Sequence, residues 1–242
     1  MNGVLLIPCV GPMQSWGTRS RFQERDTERE PSKSGIIGML CAALGLDRNE
    51  PVDDLATLKM AVRVDREGKL EKDFQTAQDV AVASGGSTQN LLSNRYYLSD
   101  AVFLVGLEGS FEPLEKLHNA LEKPVWSMFL GRKSYVPSKP FYLKDGLLSD
   151  VSLHEAFFAY PLLITAEEYE RVITARNKGN DIKIRMVNET GEVTHEVRND
   201  QPKSYALGRR EFGQRYVTTS YEDISMFPVP KEERDVPVTV EP

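Results

Sequence analysis

Residues 30–45, EPSKSGIIGMLCAALG, place Lys33 and Ser34 at the mouth of a helix-forming run. A cation beside the free N–H groups of a first helical turn is a phosphate grip in principle, because those groups and the helix dipole favour an anion. It is not a nucleotide P-loop, since that motif, G-x-x-x-x-G-K-[ST], has glycines where this chain carries Thr27 and Ser32. The plainer alternative is that Ser32 or Ser34 caps the helix while Lys33 points to solvent. Metal chemistry has no support: two cysteines (Cys9, Cys41) and three scattered histidines (His118, His154, His195) show no ligand spacing. No metal or other cofactor is expected. Both cysteines lie among apolar neighbours, which predicts buried free thiols in a reducing cytoplasm.

The charge pattern narrows the partner. A net charge of −6 and a pI near 5.3 argue against indiscriminate nucleic-acid binding. Within that acidic chain, residues 123–144 hold five basic residues and no Asp or Glu, and residues 203–215 hold four against Glu211. Residues 222–242 hold six acids against Lys231 and Arg234. Separated basic runs in an acidic chain point to a local anion site, whereas a single run is ordinarily a solvated face.

These residues need elements to position them. Residues 3–10 have the length and branching of a buried strand, and GPMQSWG (11–17) follows as a loop. Residues 18–33 alternate in charge without periodicity and read as irregular. From Ser34, the positions Ile37, Leu40, Cys41 and Leu44 recur at helical spacing, Gly45 supplies the stop, and Gly35, Gly38 and Ala42 leave one side thin. KMAVRVD (59–65) and DAVFLVGLEG (100–109) read as strands, residues 112–121 as a helix, and VWSMFLG (125–131) as a fourth strand. The order β-α-β-β-α-β predicts an α+β fold with a ferredoxin-like (RRM-like) N-terminal domain over 1–140. DIKIRMV and EVTHEVR around NETGE predict a hairpin in a smaller β-rich C-terminal domain over 141–242. The connection 66–99 far exceeds the usual 4–6 residues or so. It predicts an inserted, projecting hairpin over about residues 74–99, tipped by Gly85-Gly86, with Asn90, Asn94, Arg95, Tyr96 and Tyr97 on its returning arm. Those side chains suit phosphate contact and base stacking. No apolar run approaches the roughly 20 residues of a membrane span, and the N terminus lacks the basic start of a signal peptide.

Five blocks carry a resemblance: GPMQSWG (11–17), PSKSGIIGMLCAALGLDR (31–48), YYLSDAVFLVGLEG (96–109), KPVWSMFLGRKSYVPSKP (123–140) and REFGQRYV (210–217). In these the chain resembles the CasD-type subunits of type I-E CRISPR surveillance complexes (Cascade), within the repeat-associated mysterious protein superfamily. The blocks cover the first 140 residues well and the remainder thinly. The resemblance implies a cytoplasmic, non-catalytic subunit that holds the 5′ handle of the guide RNA and caps one end of the complex. Its partners would be the backbone and large subunits, with target DNA nearby and no membrane.

In that light the Lys33–Ser34 phosphate belongs to RNA. Gln14 and Trp16 offer a polar contact and a stacking platform, or else Trp16 is buried and anchors its loop. Arg19, Arg21, Arg25 and Arg29 alternate with Glu24, Asp26, Glu28 and Glu30, so some pair internally; Arg25 is the preferred RNA contact. Arg132 and Lys133, in the acid-free run, are read as phosphate contacts. Arg215 is either an RNA contact or a structural pair. Asn94, Arg95 and Tyr97 complete the set. Two other classes stay open. A related type I-C branch cleaves precursor guide RNA without metal, which needs a general acid or base such as His, Tyr or Lys. His118, in EKLHNALEK, is the residue to test there, against its reading as a solvated helix side chain. A pure assembly subunit would instead turn its basic patches to acidic proteins.

Overall fold

The run NGVLLIPCV forms β1 (Asn2–Val10), whose side chains alternate between two cores. Leu5, Ile7 and Cys9 join one cluster and Val4 and Leu6 the other. A strand buried on both faces has no polar positions to alternate, which is why it reads as a continuous apolar run. The computed structural model describes residues 1–18, 24–82 and 85–230. After β1 come the two-residue strands β2 (Met13–Gln14) and β3 (Glu24–Arg25), then α1 (Lys33–Leu44), α2 (Asp53–Ala56) and β4 (Lys59–Arg66). Strands β5 (Lys69–Ala81), β6 (Thr88–Ser99) and β7 (Val102–Ser110) lead into α3 (Phe111–Glu122). The rest holds β8 (Leu147–Ser149), α4 (Leu153–Ala159), α5 (Ala166–Asn177), β9 (Lys183–Thr190), β10 (Glu196–Ser204) and β11 (Glu211–Asp223).

Among the described residues, seven strands make one antiparallel sheet in the order β10-β11-β9-β4-β7-β1-β8. Helices α1 and α3 bury Ile36, Ile37, Leu40, Leu114, Leu117 and Leu121 on one face. Helices α4 and α5 bury Leu153, Phe157 and Tyr169 on the other. The fold is α+β with predominantly antiparallel sheets. The C-terminal strands extend this sheet through β9, which pairs β4 over Ala61–Val64, so a boundary at residue 140 divides one hydrogen-bonded sheet. No helix among the described residues is long and apolar enough to cross a membrane.

Two expected strand pairings are corrected. Residues 125–131 form no strand. The Val125 and Trp126 N–H groups donate to Ala43 and Ala42 carbonyls, closing the C-terminal end of α1 instead of a ladder. Gly131 then turns the chain at φ +91°, and a Cβ there would sit 1.8 Å from the Ser15 carbonyl oxygen. The strand on the side of β1 away from β7 is β8, paired at Gly3–Leu5. The predicted NETGE hairpin is also absent. β11 lies between β9 and β10: its Tyr216–Asp223 stretch pairs with Lys183–Thr190 on one side, and its Glu211–Val217 stretch pairs with Glu196–Ser204 on the other. Alternation fixes which face a strand buries but not which neighbour it takes.

The long connection is a hairpin whose arms begin at Lys69 and Ser99. Gly85 and Gly86 adopt φ +80° and +85° at its tip, a backbone region glycine enters without steric cost. The free edge of β6 takes β2 in antiparallel and β3 in parallel register, so Arg25 lies opposite Arg95 and Gln14 opposite Leu98. Most of β5 is exposed, including Phe74 at 61%.

Candidate nucleic-acid interface

The mouth of α1 is already occupied, by the protein itself. Ser32 caps the helix, its hydroxyl accepting from the Gly35 N–H at 3.3 Å. The Lys33 N–H donates to Asp200 Oδ2 at 2.7 Å, so a carboxylate from β10 takes the position proposed for phosphate. Lys33 is 1% exposed, and its Nζ donates to Glu189 Oε1 at 2.8 Å. Arg215 is buried in the same cluster, with Nε 2.7 Å from Asp200 Oδ1 and Nη2 3.0 Å from Oδ2. Glu189 also accepts from the Met60 N–H at 3.0 Å and lies 3.8 Å from Arg215. Two cations and two anions thus close a buried network that fastens α1 to β4, β9, β10 and β11. Burial pushes the Lys33 ammonium below its ordinary pKa, and Glu189 opposes that shift. Lys33 and Arg215 are structural residues here, not exposed RNA contacts.

Gln14 and Trp16 are corrected likewise. The Gln14 amide, fully buried, donates to the Cys9 and Ala101 carbonyls at 3.0 and 2.8 Å, and its oxygen accepts from Trp16 Nε1 at 3.1 Å. Trp16 is 2% exposed and packs on Gly35, where a Cβ would fall 2.9 Å from the indole. The thin side of α1 admits this ring. Trp16 is the buried anchor of its loop and offers no face to a base.

At the base of the hairpin the structure does bring several predicted residues together. Arg132 Nη1 donates to the Tyr135 hydroxyl at 2.8 Å, and Nη2 to the Tyr96 and Arg25 carbonyls at 3.0 and 3.3 Å. Its guanidinium also lies 5.4 Å from the Tyr135 ring centroid. The Arg132 Nη donors therefore hold the loop to β3 and β6 rather than reaching for phosphate. What they position is a surface: exposed Arg25, half-buried Arg95 opposite it, and Tyr97, whose ring is 5.9 Å from Tyr135. Arg95 Nε contacts Ser93 Oγ at 3.3 Å, and the Asn94 amide donates to Glu24 at 2.6 Å. Arg19 and Arg21 lie outside the described residues.

A second surface runs beside α1. A groove of about 690 Å³ is floored by Ser34, Gly35, Gly38 and Ala42 and walled by residues 126–129, Lys133, Tyr205 and Arg210. The two basic runs, 80 residues apart in their starting positions (123 and 203), meet here. Tyr205 fastens the far wall, its hydroxyl donating to the Ser34 carbonyl. Of the predicted residues, Ser34 and Lys133 line the groove. The reading by residue type missed Trp126, Arg48 and Arg210; the convergence of the basic runs was the available signal.

The three histidines lie in different parts of the fold. His118 Nε2 bonds the Leu143 carbonyl at 2.9 Å, and its ring lies 4.7 Å from that of Tyr142, so it is neither free nor simply solvated. His154 stacks on Phe158 in α4, across the sheet from α3. His195 is exposed in the β9–β10 connection. Cys9 and Cys41 are free and buried, as expected.

Comparison with known proteins places the chain. The CasD subunit of the CRISPR Cascade system of Escherichia coli (strain K12) is 30% identical over 166 residues, covering 62% of this chain and 74% of its own. A solved crystal structure of a Cas protein is 42% identical, with a TM-score of 0.73, covering 94% of this chain and 98% of its own. A chain from a CRISPR RNA-guided surveillance complex is 31% identical, also at a TM-score of 0.73, covering 96% and 95%. The family model described as CRISPR-associated protein (Cas_Cas5) matches residues 4–218, nearly the whole described chain. The chain belongs to the Cas5 family of CRISPR-associated proteins.

Proposed function

We propose that this chain is a non-catalytic subunit of a Cascade-type surveillance complex, holding the 5′ handle of the guide RNA and capping one end of the assembly. The observation that carries the reading is the near end-to-end likeness to a chain of an RNA-guided surveillance complex, at 31% identity over 96% of this chain. The strand order β8-β1-β7-β4, with α1 and α3 on one face, supports a ferredoxin-like core into which the β5–β6 hairpin is inserted. At the hairpin base, Arg25, Arg95 and Tyr97 supply cations and a ring of the kind that single-stranded RNA uses. The partners are the guide RNA, the backbone subunit and the large subunit, with target DNA nearby, in the cytoplasm.

Co-purifying the tagged protein from its host and sequencing the associated RNA tests the reading directly; guide RNA with a common 5′ handle is the expected result. Arg25→Ala should weaken handle binding across sequences and flatten the salt slope by about 0.7, the single-strand value per lost phosphate contact. An unchanged slope would remove Arg25 from the interface. Purified protein incubated with repeat-containing RNA, with and without EDTA, should leave it uncut. A defined fragment that His118→Ala abolishes would replace this reading with metal-independent processing.

A further inference from the structure

We infer that the groove beside α1 binds single-stranded RNA, one base stacking on the Trp126 indole while adjoining phosphates meet Arg48, Lys133 and Arg210. The inference rests on the RNA-binding function above and assigns it a second place, apart from the hairpin base. The groove's volume of about 690 Å³ falls within the range of small-ligand sites. Its floor is open because Gly38 and Ala42 carry almost no side chain there; a Cβ on Gly38 would still be 3.7 Å from Tyr205.

Trp126 is 48% exposed, unlike Trp16, which is buried. Its backbone is nevertheless fixed by the N–H bond to Ala42 at 3.1 Å, so an exposed ring is carried on an ordered support. Such a ring is a stacking platform available without rearrangement. The cations differ from those at the mouth of α1. Arg48 and Lys133 are exposed and make no ion pair or hydrogen bond among the described residues. Arg210 lies 5.2 Å from the Phe212 ring, which steadies the side chain without neutralising it. Asp47 is the acid among the lining residues, and it accepts hydrogen bonds from Asn49 at 2.9 Å. In a chain of net charge −6, three lining cations against the one lining carboxylate of Asp47 leave a local positive excess that attracts a polyanion. An acidic peptide would satisfy the charges, but a planar ring exposed among them favours a base, since every base has a π-face.

Intrinsic fluorescence and binding of a short single-stranded oligouridylate to the full chain test this. The buried Trp16 supplies a constant background, so RNA should quench the exposed Trp126 component and shield it from iodide. Trp126→Ala should bind roughly tenfold more weakly, the loss of one stacked base. Lys133→Ala and Arg210→Ala should each flatten the salt slope by about 0.7, with thermal unfolding checking that all three variants stay folded. RNA binding by the wild type with unaltered Trp126 emission, and with wild-type affinity in the variants, would place the RNA elsewhere while leaving the RNA-binding function standing. Absence of RNA binding by the wild type would overturn both. Protection of Trp126 by polyglutamate but not by oligouridylate would make the groove a protein-docking site and overturn the inference.

Discussion

Two regions of α1 use the same kind of residue for opposite purposes. At its first turn, Lys33 sits with Arg215 among Glu189 and Asp200, and all four charges close on one another. Along its thin side, Lys133 and Arg48 remain exposed and without counter-ions among the described residues. By residue type, Lys33, Arg215 and Lys133 were all candidate phosphate contacts. The difference is which distant strand supplies carboxylates: β9 and β10 bring Glu189 and Asp200 to the helix mouth, while nothing comparable reaches Lys133. A basic residue in an acidic protein becomes a binding residue only where the fold leaves it unneutralised.

The largest effect should come from breaking the closed set. Asp200→Ala strands buried Arg215 and the Lys33 N–H, and removal of one partner of a buried pair costs about 3–5 kcal/mol. Urea unfolding should show that loss, while RNA affinity per folded molecule stays unchanged. If instead stability held and RNA bound more tightly, the helix mouth would be a masked anion site and the contrast would fail.

Gly131→Ala probes the hinge between the two surfaces. The positive φ alone costs roughly 1–3 kcal/mol, and the added Cβ meets backbone rather than a movable side chain. Lower stability should accompany weaker RNA binding, because Arg132 and Lys133 follow Gly131 directly. Loss of stability with undiminished RNA affinity would separate the loop from the interface.

Alkaline pH should act through buried and half-buried groups packed along the groove, Cys41 and Tyr205 among them. Burial raises the Cys41 thiol from 9.0 to about 11 and pushes Cys9 and Tyr205 upward too. Between those values the unfolded chain has already lost the Cys41 proton and the folded chain has kept it. Its contribution is therefore complete below pH 9.0 and is lost as pH rises through about 11. Unfolding midpoints across that window should decline, and less so in Cys41→Ala; an identical decline in that variant would remove Cys41 as a cause.

The smallest stability change should follow replacement of residues 78–93 by a short Gly-Ser linker. That segment leaves the buried Leu98 and the Arg25–Arg95 register intact, and opening there need not propagate. Thermal unfolding should be nearly unchanged while assembly on guide RNA is impaired. Normal assembly and RNA protection would reduce the hairpin to an ornament of the sheet, and failure to fold would put it in the core.

Local chemistry was readable from the sequence wherever neighbours along the chain decide the outcome. The Ser32 cap and the Gly45 stop bound α1, now seen with Gly45 at φ +72°. The apolar run of β1 announced burial on both faces, and Gly85-Gly86 marked a hairpin tip. Of the helices the sequence reading missed, two carried signals: Ser152 and Glu155 form a capping box at α4, and Thr165 caps α5 by accepting from the Glu168 N–H. What no local pattern contained was partner choice. β11 inserts between β9 and β10, residues 125–131 close a helix end instead of joining the sheet, and Asp200 crosses to Lys33 from 167 positions away. Periodicity records the face a side chain presents, because that depends on the backbone's own repeat. Whether a charge on that face meets an opposite charge or solvent depends on chain closure, and closure alone buried Lys33 and left Lys133 outside.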